Sequence, residues 1–291
     1  MQKVLIFGNS FRINRLPQMQ QLFTQLKKHH LDIAVDKQFS EFLAEEVGID
    51  RCLFQTIDND DFTGDIAFSL GGDGTFLNTA ARIGSKGIPI IGINTGHLGF
   101  LADITNDEAA TFVDDIAMGN FKVEQRTLLE ARTKEGGEEL NFPFALNELA
   151  ILKQDLSSMI SVEARVDGEL LNTYKADGLL VATPTGSTAY AMSAGGPITT
   201  PNTPVFVIAP IAPHSLTMRP IVLPDDCTIE LTTESRSQSY LAAFDGRSQV
   251  LDCKTTLLLR RADYKINIIR PNEHTFFNTL KTKLMWGADK R

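Results

Sequence analysis

The run Phe68-Ser69-Leu70-Gly71-Gly72-Asp73-Gly74-Thr75-Phe76-Leu77 sets three glycines around one carboxylate, after an apolar stretch and before a helix-favouring one. That order predicts a strand, a tight turn and a helix N-terminus. Glycines let backbone amides approach phosphate oxygens with no side chain between, and the first turn of a helix presents unpaired N–H groups to an anion. Phosphates repel a carboxylate, so Asp73 suggests a chemical task such as accepting a hydroxyl proton or holding a cation. An ordinary strand-to-helix turn, with Asp as a good turn residue, is the alternative reading of the same residues. The loop does not follow GxxxxGK[ST] and carries no P-loop lysine.

A second cluster runs from Tyr174 to Pro197, with Lys175 and Asp177 at its start, an apolar strand Leu179–Ala182, and then about fifteen residues dominated by small and hydroxyl side chains. Such a segment forms little core by itself. Its small residues let a ligand lie against the backbone, while hydroxyls and amides supply directional hydrogen bonds. Tyr190 is placed to stack on a planar ring or to fill a gap. A Gly/Ser/Thr connection between strands is the plainer alternative.

These two clusters must be held by a substantial scaffold, and 291 residues suffice for two domains. The net charge of −8 argues against a general nucleic-acid or anionic-membrane surface, which needs clustered Lys and Arg. Any anionic ligand must then be held by local amides and a few placed cations. Cys52, Cys227 and Cys253 are scattered and without a CxxC pair, which predicts free thiols in a reducing compartment and no zinc site. The N-terminal apolar run is too short for a signal peptide, and no later run approaches the roughly 18 apolar residues of a membrane span. The expectation is a cytoplasmic soluble protein.

Up to about residue 120, apolar β runs (Val4–Phe7, Ile33–Val35, Ile66–Leu70, Pro89–Ile93) alternate with helical patterns (Pro17–His29, Thr75–Ile83). This alternation predicts an α/β domain with a Rossmann-like parallel sheet. Thr105-Asn106-Asp107-Glu108 has capping-box spacing and predicts a helix ending near Met118-Gly119. From 121 to 265 short strands dominate, among them Glu124–Thr133, Glu139–Phe144, Glu148–Leu152 and Thr256–Arg260, with tight turns at Asp167-Gly168 and Asp245-Gly246. A β-rich, sandwich-like domain follows from that spacing. Residues 266–291 mix a strand with a helix and are expected to return to the first domain.

Taken together, Leu70–Leu77, Gly92-Ile93-Asn94-Thr95-Gly96-His97-Leu98-Gly99-Phe100-Leu101, Leu146-Asn147-Glu148 and Asp177–Pro197 resemble the NAD kinase family, in family order and over essentially the whole chain. The Gly-Gly-Asp-Gly-Thr loop alone is shared with lipid and sugar kinases. The resemblance implies transfer of the γ-phosphate of ATP to the 2′-hydroxyl of the adenosine ribose of NAD, with magnesium brought by ATP rather than held at a resident metal site. It implies an α/β N-terminal and a β-rich C-terminal domain, and a homodimer or homotetramer.

The resemblance also assigns residues. Asp73 would accept the 2′-hydroxyl proton, and Gly71, Gly72, Gly74 and Thr75 would cradle the ATP phosphates. The NAD-binding set is Asp73, Gly74, Asn147, Glu148, Lys175, Asp177, Thr185, Thr188, Ala189, Tyr190, Ala191, Met192, Ser193 and Ala212. An adjacent amide and carboxylate, as at Asn147 and Glu148, can grip ribose hydroxyls or an adenine amino group. Ser158 and Asp245-Gly246-Arg247 depart from some relatives at positions that bear on oligomer contacts and on NAD versus NADH preference.

His97 and His214 lie in Gly- or Pro-flanked loops but in no HExxH or Ser/His/Asp arrangement, and receive no catalytic role. Ser187 is in no GxSxG elbow, and no GxGxxG fingerprint supports hydride transfer. Two rivals remain at this level. A lipid or sugar kinase would need a membrane-facing or arginine-rich surface, and a non-catalytic NAD-binding regulator would be expected to lose Asp73.

Overall fold

The computed structural model describes residues 2–9, 16–96, 99–134, 139–155 and 158–287. The chain divides into two units, Met1–Gln125 with Ile266–Arg291, and Arg126–Lys265. The first unit opens with β1 (Lys3–Gly8), α1 (Leu16–Lys28), β2 (Asp32–Asp36), α2 (Lys37–Phe42), β3 (Gln55–Ile57) and β4 (Ile66–Gly71). It continues with α3 (Asp73–Ile83), β5 (Ile90–Asn94), β6 (Ile104–Thr105) and α4 (Asn106–Ala117). The strands pair in parallel in the order β3–β2–β1–β4–β5, as the βα alternation predicts.

Strands β4 and β5 are buried along their whole length, which explains why they read as continuous apolar runs and not as alternating ones. Met19, Leu22, Phe23 and Leu26 of α1 recur at helical spacing and meet Val4, Ile6, Phe68 and Ile91 of the strands in one core, joined by Phe112, Val113 and Ile116 of α4. The capping box of α4 is formed: the Glu108 amide donates to Thr105 Oγ1 and the Thr105 amide to Glu108 Oε2. Helix α3 starts at Asp73, two residues earlier than its apolar spacing predicts, because Gly72 already serves as its N-cap.

The second unit is built from β7 (Lys122–Thr133, of which residues 122–125 belong to the first unit), β8 (Phe144–Ala145), β9 (Glu148–Leu152), β10 (Ile160–Val166), β11 (Glu169–Ala176) and β12 (Gly178–Ala182). After α5 (Tyr190–Ser193) come β13 (Val205–Ile211), β14 (Ile221–Pro224), β15 (Ile229–Glu234), β16 (Ser239–Phe244), β17 (Arg247–Asp252) and β18 (Leu257–Arg270). One antiparallel sheet runs β14–β13–β12–β9–β16–β17. A second antiparallel ladder runs β11–β10–β15–β18.

Alternate residues of β12 serve opposite faces: Leu179 and Val181 enter the main core, Leu180 and Ala182 a smaller cluster with Ala150, Ala209 and Ala191 of α5. Asp167-Gly168 and Asp245-Gly246 close two-residue hairpins with positive φ at all four residues, as expected for Asp-Gly turns. The strand predicted over Glu139–Phe144 shrinks to Phe144–Ala145. Pro143 has no N–H to give a ladder, and the Glu139 carbonyl and Asn141 amide bond to the Gln249 side chain instead.

Strand β18 runs on past the predicted Arg260, and its last residues belong to the first unit. There Ile268 pairs in parallel with Ile90 of β5, and Ile269 joins the core. Helix α6 (Phe276–Leu284) follows, with the Asn278 amide donating to the hydroxyl of its N-cap Thr275.

Candidate active site

Asp73, the first residue of α3, turns its carboxylate onto the loop after β5. Oδ1 accepts hydrogen bonds from the amides of Leu101 and Ala102, both at 3.0 Å, and Oδ2 accepts from the Phe100 amide at 2.9 Å. Two donors fill the in-plane lone pairs of Oδ1, whereas among the described residues Oδ2 keeps one free. Lys283 Nζ of α6 stands 3.9 Å from Oδ2 and 4.9 Å from the centre of the Phe100 ring.

The loop that supplies these amides is braced from behind. Arg270, fully buried, donates to the carbonyls of Leu101 at 3.0 Å and Phe100 at 3.1 Å, and pairs with Asp103. Burial lowers its pKa to about 10, with the charge of Asp73 acting in the opposite direction. His274 Nε2 meets the other oxygen of Asp103 at 2.5 Å, and the Lys122 ammonium donates to the His274 carbonyl. The peptides of Phe100 and Leu101 therefore give their carbonyls to Arg270, and the amides of residues 100–102 go to Asp73.

The glycines of the loop divide their tasks. Gly71 is buried, and a side chain there would strike Thr75, so it lets β4 turn into α3. Gly72 and Gly74 are exposed with open space where a side chain would be. Among the described residues no side chain caps the N-terminus of α3, which leaves its first amides available to an anion such as a phosphate. His97 and Leu98 of the second family-like run lie outside the described residues.

In the second unit Asn147 precedes β9 and Glu148 opens it, both 8 % exposed. Their backbone is held as Asp73 holds the loop after β5: the Asp245 carboxylate accepts the amides of Leu146 at 2.7 Å, Asn147 at 2.8 Å and Glu148 at 3.2 Å. Burial raises the Asp245 carboxyl pKa against the pull of those amides. Glu148 is pushed up to about 8, first by burial and then by the neighbouring Asp245 charge, while the Tyr190 amide draws it down. Glu148 Oε2 is buried and without a hydrogen-bond partner among the described residues. A buried orphan acceptor of this kind fits a ligand hydroxyl or amino donor.

The small-residue segment is not an open loop. Thr185–Thr188 forms a 3-10 turn and Tyr190–Ser193 the single turn α5. Thr183 fixes it to β9, its hydroxyl donating to the Leu146 carbonyl at 2.5 Å and its amide to the Asn147 carbonyl at 2.8 Å. Gly186 presses on the Asn147 backbone, and Ala191 is fully buried against the sheet. Ser187 is buried, bonding to the Pro184 and Thr199 carbonyls, a structural role. Thr185, Thr188, Ala189 and Met192 are half-buried, and Tyr190 and Ser193 are exposed, beside the Asn147–Glu148 pair.

Lys175, Asp177 and Ala212 form a separate group. Asp177 pairs with Lys153 at 2.6 Å, the His214 amide donates to the Lys175 carbonyl, and Ala212 is exposed with φ 44°. The whole of β12 lies between Asp177 and Thr183, so at 3.3 Å per residue the two groups stand roughly 20 Å apart within the unit.

The sequence marked Asp245 as a turn residue and a departure from some relatives, but not as the acceptor for the amides of residues 146–148; Arg270 and Lys283 it did not mark at all, since each acts across a large sequence interval. Among the described residues no group of three or more His, Cys, Asp or Glu is placed to hold a metal ion, and no helix is long and apolar enough to cross a membrane. A magnesium ion bound mainly by nucleotide phosphates, with at most one carboxylate, is compatible with that donor set.

Residues 4–121 match the family described as ATP-NAD kinase N-terminal domain, and residues 146–271 the ATP-NAD kinase C-terminal domain. The chain is 46 % identical over 289 residues to an NAD kinase of Bacteroides fragilis, covering 99 % of each. It is 43 % identical over 291 residues to one of Porphyromonas gingivalis, covering 100 % of each. Among solved structures, yeast NADH kinase complexed with NADH matches at TM-score 0.89 and 25 % identity, over 100 % of this chain and 89 % of that one. An NAD kinase from Archaeoglobus fulgidus in complex with ATP shares the fold at TM-score 0.76 and 23 % identity, over 97 % and 98 % of the two chains.

Proposed function

The chain belongs to the ATP-NAD kinase family, and from that premise we propose that its Asp73 site transfers the γ-phosphate of ATP to the 2′-hydroxyl of the adenosine ribose of NAD. The rival readings, a lipid or sugar kinase and a non-catalytic NAD-binding regulator, are not favoured. The observation that carries the mechanism is the asymmetry of the Asp73 carboxylate: among the described residues Oδ1 is filled by two amides and Oδ2 accepts from one.

The acceptor hydroxyl docks on that open position. As the ribose oxygen bonds to the γ-phosphorus, the bond from phosphorus to the β–γ bridging oxygen breaks and ADP departs with the electron pair. The hydroxyl proton passes to Asp73 Oδ2. A carboxylate is a weak base toward an alcohol, so this transfer comes late, and positioning with charge neutralisation supplies much of the acceleration. Magnesium, entering as part of the nucleotide substrate, neutralises phosphate charge. The exposed Gly72 and Gly74 and the uncapped amides of α3 receive the phosphates.

On the acceptor side, Glu148 Oε2 accepts a ribose hydroxyl or adenine amino group, Asn147 adds an amide, and the exposed Tyr190 offers its ring to the base. The distance along β12 leaves the Lys175–Asp177–Ala212 group for another part of the dinucleotide or for a neighbouring protomer. The homodimer or homotetramer that the family resemblance implies would be counted by light scattering. Free Cys52, Cys227 and Cys253, together with ATP as substrate, support the cytoplasm as its place of work.

The test is an endpoint assay with ATP, magnesium and either NAD or NADH, read with an NADP-specific dehydrogenase. An NADPH reading from the NADH lane is taken directly with an NADPH-specific oxidant. Product with NAD establishes the reaction, and the NADH lane decides the acceptor. No product in either lane, from folded protein, would discard this reading.

A further inference from the structure

We propose that Lys283 of α6 is the cation at the reacting centre that the glycine-rich loop itself lacks, contacting the phosphoryl group as it transfers. The inference rests on the reading of Asp73 as the proton acceptor. From Gly71 to Thr75 the loop contains no lysine or arginine, yet the phosphoryl group in transit carries charge on three oxygens that needs a partner besides the metal.

Helix α6 is placed to deliver one. Thr279 and Leu280 are its buried anchors, and Lys283 lies four and three residues beyond them, on the same face. Its ammonium stands 3.9 Å from Asp73 Oδ2, the oxygen with the open lone pair, and not beside the saturated Oδ1. Phe100 serves the arrangement twice. Its amide donates to Oδ2 at 2.9 Å, and its ring lies 4.9 Å beneath the Lys283 ammonium.

That ammonium is located but uncommitted. At 3.9 Å it is beyond hydrogen-bond reach of Oδ2, and among the described residues it donates to no other acceptor. Asp73 does not need it as an anchor, since three amides already hold the carboxylate. A partly exposed pair at this distance also adds little stability. Arg270 cannot substitute, because it is fully buried and gives its guanidinium to Phe100, Leu101 and Asp103. Lys283 therefore has charge and free donors beside the oxygen on which the acceptor hydroxyl docks. Fixed positive charge there is stronger in the transition state than in the ground state, which is the condition for raising turnover.

The experiment compares wild type, Lys283→Met and Lys283→Arg in kcat, in half-saturation for NAD and ATP, and in thermal midpoint. The expected result is a fall in kcat on the order of 100-fold for Lys283→Met, with NAD half-saturation and thermal midpoint near wild type. Lys283→Arg should recover a large part of kcat, because it restores charge at a similar reach. A Met variant with kcat within about threefold of wild type would overturn the proposal while leaving the Asp73 reading intact. Equal loss in both variants with a lowered thermal midpoint would also overturn it, making Lys283 only a prop for α6. An inactive wild type would overturn the reading of Asp73 and this inference together.

Discussion

Gly99 lies so close to Asp73 that a methyl group at position 99 would come within 3.0 Å of all three atoms of the Asp73 carboxyl group. That carboxylate is tied to three amides of the same loop, so it cannot yield without breaking them. Gly99→Ala should therefore rotate the base out of position. We expect kcat to fall by on the order of 10- to 100-fold while NAD affinity, measured by calorimetry, changes little. Normal turnover in this variant would show that the observed Asp73 geometry is not the working one.

Asp73→Asn preserves shape but replaces one acceptor oxygen by an NH2 group. With the NH2 group at the Oδ2 position both the Phe100 amide and the substrate hydroxyl meet a donor, and with it at the Oδ1 position the Leu101 and Ala102 amides do. Turnover should drop by on the order of 100-fold or more, with NAD affinity nearly intact. Single-turnover kinetics separate the two, and a near-normal chemical step would remove Asp73 from the mechanism.

Glu148 makes stability depend on pH in a defined direction. Its folded pKa of about 8 lies above the ordinary value of 4.5, so the folded state holds the proton more tightly than the unfolded one. The contribution is complete below pH 4.5 and is lost as pH rises through about 8. Thermal midpoints from pH 5 to 9 should therefore decline more steeply for wild type than for Glu148→Gln, which has no charge to bury. Parallel curves for the two proteins would contradict the assignment.

Asp245→Asn tests the brace beneath Asn147 and Glu148. Asn tolerates the positive φ of position 245, so the turn survives while three charge-assisted hydrogen bonds to consecutive amides weaken. The expected loss of stability is roughly 2 kcal/mol, with NAD half-saturation raised by on the order of 10-fold and kcat affected less. Denaturant titration and steady-state kinetics read both. A variant whose kcat alone falls would place Asp245 in the chemistry instead of in binding.

How much of this was legible in the sequence depended on the range of the forces involved. The capping box at Thr105, the apolar spacing of α1 and the two Asp-Gly turns are local, and each formed where its residues predicted. The glycines around Asp73 were visible as a motif, but their separate tasks were not: whether Gly71 is buried or Gly72 exposed depends on how α3 packs. The strand at 139–144 failed because Gln249, more than a hundred residues away, satisfies that backbone with its side chain. Arg270 and Lys283 carry no local signal at all. A buried arginine and a surface-helix lysine look alike in sequence until the fold brings one behind the Asp73 loop and the other in front of it.

The first unit is completed by residues that follow the second unit in the chain, and this sets an order on biosynthesis. A ribosome finishes Arg126–Lys265 before it makes Ile268, Ile269 and Arg270, so the inserted unit can fold while the one it interrupts still lacks a strand. During that interval the nascent chain already contains Asp73 but not the guanidinium that fixes the carbonyls behind it. Premature termination anywhere before Arg270 thus leaves a polypeptide that has Asp73 but lacks the guanidinium behind the loop that holds its carboxylate.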